Sequence, residues 1–392
     1  MSKIRKDNTM NRKNVYLMYA IALLQGMVFY ASIATLYRQA AGITVFQIAL
    51  IESISYLLCL LFELPWGIVA DKIGYKKTLC FCCVLYFASK LVFWRAEGFA
   101  GFLLERIMIS IVIAGMTGVD TSILYLSSKA GESQRTFGIY NVLGTVGLLT
   151  ASLVFSVFIG ENYRLTAFLT AITYALAAIL SFFLSEVKSL EKRSIGIKDF
   201  KSNFLMIIKN KHLILFLISV AFMTQMYQTI TVFLNQLQYE KCGLSASHIG
   251  FAYIIVTLAG TLGVFSDVLT RKTGVKKIGI VFYSISFLSC IILFFTGNAI
   301  VSILGVLILN LINALFQPFQ LEQQNRQVLS ENRATELSIY AIIIDSICAG
   351  TSVLFGALAK IKLGYAFLFG AILSIVGLIL FLVWHKRCAA SK

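Results

Sequence analysis

The chain has 392 residues, 58% of them hydrophobic and 13% charged, with 34 Lys/Arg against 18 Asp/Glu for a formal net charge of +16. A water-soluble domain of this length does not need so much apolar side chain to cover one core, so a soluble globular protein is excluded and the bilayer is the expected solvent. The basic excess fits nucleic acid or anionic lipid, and its distribution along the chain decides between them.

Apolar segments of about 18 to 25 residues recur throughout, each long enough to cross a hydrocarbon layer of roughly 30 Å as a helix. Leu57 to Phe62 and Ile372 to Val383 are apolar on nearly every side, which argues for helices and against the alternating pattern of a membrane barrel. Twelve spans are predicted, at 16–37, 46–70, 78–95, 99–126, 137–160, 165–185, 213–236, 247–270, 278–296, 299–321, 337–360 and 364–384.

The first span follows a basic start and runs at full length without a small-residue cleavage site, so it is expected to stay as an anchor. Gln25 is a candidate cavity residue on it. In the second span Glu52 and Glu63 are eleven residues apart, hence about 20° apart on the helical wheel. Glu63 is either a proton carrier, since burial favours the neutral carboxyl, or a permanent partner of a basic group at the end of the span. The third span holds Cys80, Cys82 and Cys83, read as apolar packing because no histidine is near in sequence, and Lys90, read as snorkelling to the outer headgroups.

Arg106, Ser110, Thr117 and Asp120 of the fourth span share an arc of about 80°. Arg106 either binds an anionic group and steadies a neighbouring carboxylate, or snorkels outward. Glu105 points about 100° away and is a further proton-coupling candidate. The fifth span has Gly138, Gly144 and Gly147 but no proline. After the sixth comes the one long polar stretch, Glu186 to His212, whose Phe200, Phe204, Ile207 and Ile208 suggest a helix lying on the membrane surface.

The seventh span carries Gln225, Gln228, Thr229 and Gln236. The tenth carries Asn310, Asn313, Gln317, Gln320 and Gln324 at spacings of 3, 4, 3 and 4, within an arc of about 80°. Such a stripe is expected to line a central polar cavity, with Pro318 able to loosen the helix; the plainer alternative is hydrogen bonding between helices. Asp345 of the eleventh span, on a stripe with Ser338 and Ser352, is the proton-coupling candidate of the second half.

With an even number of spans both termini share a side. That side receives 26 of the Lys/Arg and the other six, so both termini are expected in the cytoplasm. The basic residues are thus topology determinants that meet anionic lipid, and no nucleic-acid partner is expected. The polar linker divides the chain into six-helix halves, 1–186 and 213–392, joined by 187–212. A weak echo supports duplication: Gly67, Asp71, Gly74, Lys76 and Lys77 after the second span, and Gly263, Asp267, Gly274, Lys276 and Lys277 after the eighth.

Gly67, Asp71, Lys72, Gly74, Lys76 and Lys77 fit G-x-x-x-D-[RK]-x-G-x-[RK]-[RK], and with them the chain resembles the major facilitator superfamily. Glu63 to Gly67, Thr117 to Tyr125 and Arg333 to Ser338 are similar to a bacterial branch of it. The resemblance implies an all-α membrane protein of twelve helices that works by alternating access. It also implies a conformational latch at Gly67, Asp71, Lys72, Gly74, Lys76, Lys77 and Asp120, and a coupling role for an arginine in the part of the fourth span where Arg106 lies. Tyr75 stands where a basic residue is common, and the fifth span lacks the glycine-proline motif of drug/proton antiporters. The expected function is therefore proton-coupled export of an amphiphilic organic solute from a monomer in the bacterial plasma membrane. Uptake of a polar solute such as a sugar, and a non-transporting scaffold or sensor, are the alternatives. The substrate cavity is expected to comprise Gln25, Arg106, Gln225, Gln228, Asn310, Asn313, Gln317 and Gln320. The three histidines lie at span ends and there is no nucleophile motif or phosphate-binding loop, so no enzyme activity, metal or other cofactor is expected.

Overall fold

The computed structural model describes residues 12–128, 133–187, 204–328 and 333–390, with the side chains of 63–65, 67–72, 133–134, 333–335 and 387–390 excepted. Among the described residues there are twelve helices long and apolar enough to cross a membrane: Arg12–Ala40, Val45–Phe62, Tyr75–Arg95, Gly98–Ser127, Arg135–Ile159, Tyr163–Phe182, Lys211–Lys241, Ala246–Thr273, Val275–Phe295, Ala299–Gln327, Glu336–Ile361 and Leu363–Lys386. Backbone polar groups in hydrocarbon must be satisfied within the segment, so an apolar run of this length folds as a helix. The chain is a multi-pass, all-helical membrane protein.

Asparagines cap three of the spans. Asn162, Asn210 and Asn298 accept from the backbone N–H groups of Leu165 at 3.1 Å, Leu213 at 3.2 Å and Ile300 at 2.9 Å, covering orphan donors that each helix start leaves. Gly74 and Gly274 precede the third and ninth spans with nearly the same backbone, φ 94° and ψ 151° against φ 82° and ψ 151°. Residues with a Cβ avoid that region, so both turns need glycine. The glycines paired by the internal echo thus make the same turn.

Several spans are not plain α-helices. The first is broken: an α-helix Arg12–Gly26 is followed, after a short irregular stretch, by a 3-10 turn Ala31–Ile33 and a second α-helix Ala34–Ala40. The fourth breaks between Met116 and Val119, where Gly118 takes φ 82°. π-turns occupy Phe155–Ile159 in the fifth and Thr229–Leu234 in the seventh. Pro318 sits inside an unbroken tenth helix.

The chain forms two compact units, Met1–Ser32 with Leu58–Ser194 and Ile33–Leu57 with Ile195–Lys392. In the first, the first and fifth spans approach closely: a Cβ on Gly26 would collide with the Gly144 carbonyl, and one on Gly147 with the Leu23 carbonyl. In the second unit, residues 33–57 are held by backbone-directed bonds. The Thr35 N–H donates to Gln236 Oε1 at 2.7 Å, Ser53 Oγ to the Ala349 carbonyl at 2.8 Å and Ser352 Oγ to the Ala49 carbonyl at 3.2 Å. A Cβ on Gly356 would strike Ala49. Of the predicted surface helix of the linker, residues 204–209 are helical, with Ile207 buried and Ile208 exposed, and Phe200 lies outside the described residues.

Candidate functional site

Within the first unit the polar groups gather where the first span breaks. An interrupted helix inside hydrocarbon leaves peptide groups that something else must satisfy. The sixth span does so. Thr170 Oγ1 accepts from the Phe29 N–H at 3.0 Å, Thr173 Oγ1 donates to the Met27 carbonyl at 3.2 Å, and the Tyr174 hydroxyl donates to the Gln25 carbonyl at 2.7 Å. Gln25 lies at the break itself, half-buried, with its amide 3.5 Å from Cys83 Sγ.

Tyr30, just past the break, accepts a hydrogen bond from Lys90 Nζ at 3.0 Å. Lys90 is only 4% exposed and lies 3.8 Å from Glu105 Oε1, in a residue 1% exposed. Three rings surround the ammonium, with centroids 4.8 Å (Tyr86), 5.2 Å (Tyr174) and 5.7 Å (Tyr30) from Nζ. Phe93 stacks on Tyr30 at 4.1 Å, and Tyr86 meets Tyr174 edge to face at 4.6 Å. Aromatic faces attract a desolvated cation, and a carboxylate completes its neutralisation. Lys90 therefore does not snorkel to the headgroups as its depth suggested. It is caged, because the tyrosines and Glu105 supply inside the unit what water and headgroups supply outside.

Arg106 follows Glu105 on the fourth span, half-buried with its Nε enclosed, and acts electrostatically on Tyr86. Asp120 begins the helical segment after the Gly118 break, accepts from the Thr121 N–H at 2.6 Å and bonds Tyr140. At the start of the third span, Glu186 accepts from the Lys76 N–H at 3.1 Å, and its carboxylate lies against Gly74 so closely that a Cβ there would come within 2.9 Å. The backbone of Val45–Ile73 is helical through Gly67, Asp71 and Lys72. The side chains of Glu63, Gly67, Asp71 and Lys72 lie outside the described residues.

The second unit holds the amide groups. On the tenth span Gln320 Nε2 donates to Gln317 Oε1 at 2.9 Å, and Gln317 Nε2 faces Asn313 Oδ1 at 3.4 Å. The row ends at Gln320 Oε1, buried and without a partner among the described residues, with Gln323 Nε2 in the same condition. Asn310 leaves the row: its Nδ2 donates to the Val256 carbonyl of the eighth span at 2.6 Å. Gln225 is buried and donates to Thr229 Oγ1 at 2.9 Å, its Oε1 having no partner among the described residues, whereas Gln228 is exposed. Asp345 is half-buried on the eleventh span. Glu52 is buried 3.8 Å from Arg38, which is buried as well. Glu52 also lines a small pocket with Thr35, Thr229 and Ser352.

The structure thus sets Gln25 against Cys83 and Glu105 against Lys90, and separately brings together Asn313, Gln317 and Gln320. Sequence reading missed Tyr30, Tyr86, Tyr174, Arg38 and Glu186. A signal existed for part of this set: Thr166, Thr170 and Thr173 in the sixth span follow at spacings of 4 and 3, and Tyr86 and Lys90 are one turn apart.

Twelve membrane-spanning helices with a broken first helix, buried ion pairs and an amide row are the parts a polytopic membrane transporter needs. The profile of the Major Facilitator Superfamily matches residues 15–349, and the chain belongs to that family. Among solved structures it is similar to the nucleoside transporter NupG, with 14% identity, TM-score 0.80 and coverage of 96% of this chain and 99% of that one. It is also similar to a D-xylose-proton symporter, with 15% identity, TM-score 0.73 and coverage of 95% and 97%. A bacterial homolog of the human lysosomal transporter Spinster, in an inward-facing and occupied conformation, matches with 16% identity, TM-score 0.71 and coverage of 95% and 96%. At these identities the likeness is one of fold.

Proposed function

We propose that this transporter is a proton-coupled secondary carrier that works by alternating access and exports an amphiphilic organic solute. The observation that carries the coupling is the pair Lys90 and Glu105, 3.8 Å apart and buried within the spans. An ion pair inside hydrocarbon is costly to keep and marks a proton or substrate path. The moving bodies are the two six-helix halves, 1–186 and 213–392, with Gly67, Asp71, Lys72, Gly74, Lys76, Lys77 and Asp120 as the cytoplasmic latch. Both termini lie in the cytoplasm of a bacterial plasma membrane protein that acts as a monomer. Glu52, Glu63, Glu105 and Asp345 are the groups to test for proton exchange.

A second reading, uptake of a polar solute, is favoured by the amide row Asn313, Gln317 and Gln320, whose donors and acceptors suit sugar or nucleoside hydroxyls as well as amides. Proteoliposomes with trapped pyranine, challenged with amphiphilic amines, nucleosides and hexoses, distinguish the two. Export by exchange predicts proton movement opposite to the solute and collapse of uphill flux by a protonophore. Proton movement with the solute would favour uptake, and solute flux indifferent to the proton gradient would overturn the coupling.

A further inference from the structure

The Lys90 cage has the chemistry of a receptor for an organic ammonium. Three tyrosine faces within 6 Å and one carboxylate are what a desolvated alkylammonium requires, and the cage already holds such a group, the end of the Lys90 side chain. Among the described residues the ammonium is paired with the Glu105 carboxylate, which one cation neutralises. A second cation entering beside a protonated Lys90 would leave an uncompensated positive charge in a low-dielectric interior.

We propose that the Lys90 ammonium is a tethered competitor for a cationic solute, and that the cage of Tyr30, Tyr86, Tyr174 and Glu105 is an organic-ammonium site loaded in exchange for the Lys90 proton. This rests on the proton-coupled reading above and names its solute class and its proton. The step balances. One N–H bond of Lys90 breaks, the proton leaves to water, the electron pair stays on Nζ, and the incoming R–NH3+ or R–N(CH3)3+ takes the place beside Glu105. The charge of the site is the same before and after, and one proton leaves for each cation bound. On return, protonation of Lys90 expels the solute, which is exchange in opposite directions. Among the described residues the charged and titratable groups against Lys90 are Glu105 from the fourth span, Tyr30 from the first, Tyr86 from the third and Tyr174 from the sixth, while Arg106 and Cys83 act on Tyr86. Glu105 is the counter-charge to whichever cation occupies the cage.

The probe is hexyltrimethylammonium, whose charge does not change with pH, so any pH dependence belongs to the protein. On purified protein its affinity is expected to rise about tenfold per pH unit while Lys90 remains mostly protonated, with one proton released per cation in weakly buffered calorimetry. Lys90→Arg keeps the ion pair and never releases a proton at ordinary pH, so it is expected to bind at least tenfold more weakly and without proton release. Lys90→Ala removes the competitor. It is expected to bind tightly at all pH values, to release no proton, and to regain on binding the thermal stability that the lone Glu105 loses. A Lys90→Arg protein that binds and releases protons like the parent overturns the proposal, as does failure of both the parent and Lys90→Ala to bind. Protons exchanged by the parent with another solute, but untouched by Lys90→Arg, would sink this site while sparing proton coupling. Absence of proton movement with any solute would sink both.

Discussion

Removing Lys90 should damage the protein far more than removing Glu105, and the structure says by how much. Two unit charges 3.8 Å apart interact by about 4 kcal/mol at an effective dielectric near 20. Losing one partner of a buried pair costs about 3–5 kcal/mol, because the survivor stays charged and unmatched. The survivors here are unequal. After Glu105→Gln the ammonium keeps the Tyr30 hydroxyl and three ring faces, which for a desolvated cation are together worth about 2 kcal/mol or more. After Lys90→Met the carboxylate loses its cation, and the negative faces of the same rings repel it. The expected loss is therefore about 3–5 kcal/mol for Lys90→Met and about 1–3 kcal/mol for Glu105→Gln. The double variant Lys90→Met with Glu105→Leu, which leaves no charge behind, should recover most of it. Reversible unfolding in mixed micelles, followed by tryptophan fluorescence, gives the full cycle. Equal single costs below about 1 kcal/mol that simply add in the double variant would refute the cage and its asymmetry.

Gly147→Ala should loosen the contact of the first and fifth spans at a cost of about 1–3 kcal/mol, since its methyl meets the Leu23 carbonyl, and a melting temperature equal to the parent's would contradict that close approach. Gln320→Leu removes a buried amide oxygen that has no partner among the described residues together with the donor to half-buried Gln317, so the two effects oppose and stability should change by less than about 1 kcal/mol while solute affinity falls. Lower stability with unchanged affinity would make the row structural. Glu186→Ala should cost about 1 kcal/mol through the lost acceptor at the start of the third span, and hydrogen exchange should quicken at the Lys76 amide. Protection of that amide left intact would show that Glu186 is not its acceptor.

The span count was legible because it depends on length and hydropathy alone, and each predicted segment falls within a few residues of an observed one. The amide row on the tenth span was legible because that helix is unbroken, so 100° per residue holds from Asn310 to Gln320. The same arithmetic cannot cross the break after Gly26 or the π-turn at Thr229–Leu234, and the grouping of Gln25 with Tyr30 and that of Gln225 and Gln228 with Gln236 straddle those points. The break carries no proline, and the residues that satisfy it, Thr170, Thr173 and Tyr174, are more than a hundred positions away. Lys90 was misplaced for a related reason. Depth along a helix is readable from sequence, but the direction in which a long side chain finds its counter-charge depends on neighbours that only folding brings.

The cage also has a consequence for how the protein is made. Spans enter the membrane in chain order, and the third, with Lys90 inside it, has the lowest hydropathy of the twelve. A lysine at depth costs about 2.5–3.5 kcal/mol on insertion scales, and its carboxylate lies on the next span to emerge. Until Glu105 leaves the ribosome, Lys90 has only the phenols of Tyr30 and Tyr86 to face. The third span is thus best released from the translocon together with the fourth, as a helical hairpin. A nascent chain halted when its third span has emerged from the ribosome but Glu105 has not should hold that span at the edge of the membrane, and moving Glu105 to a later span should lower the yield of inserted protein before any transport is measured.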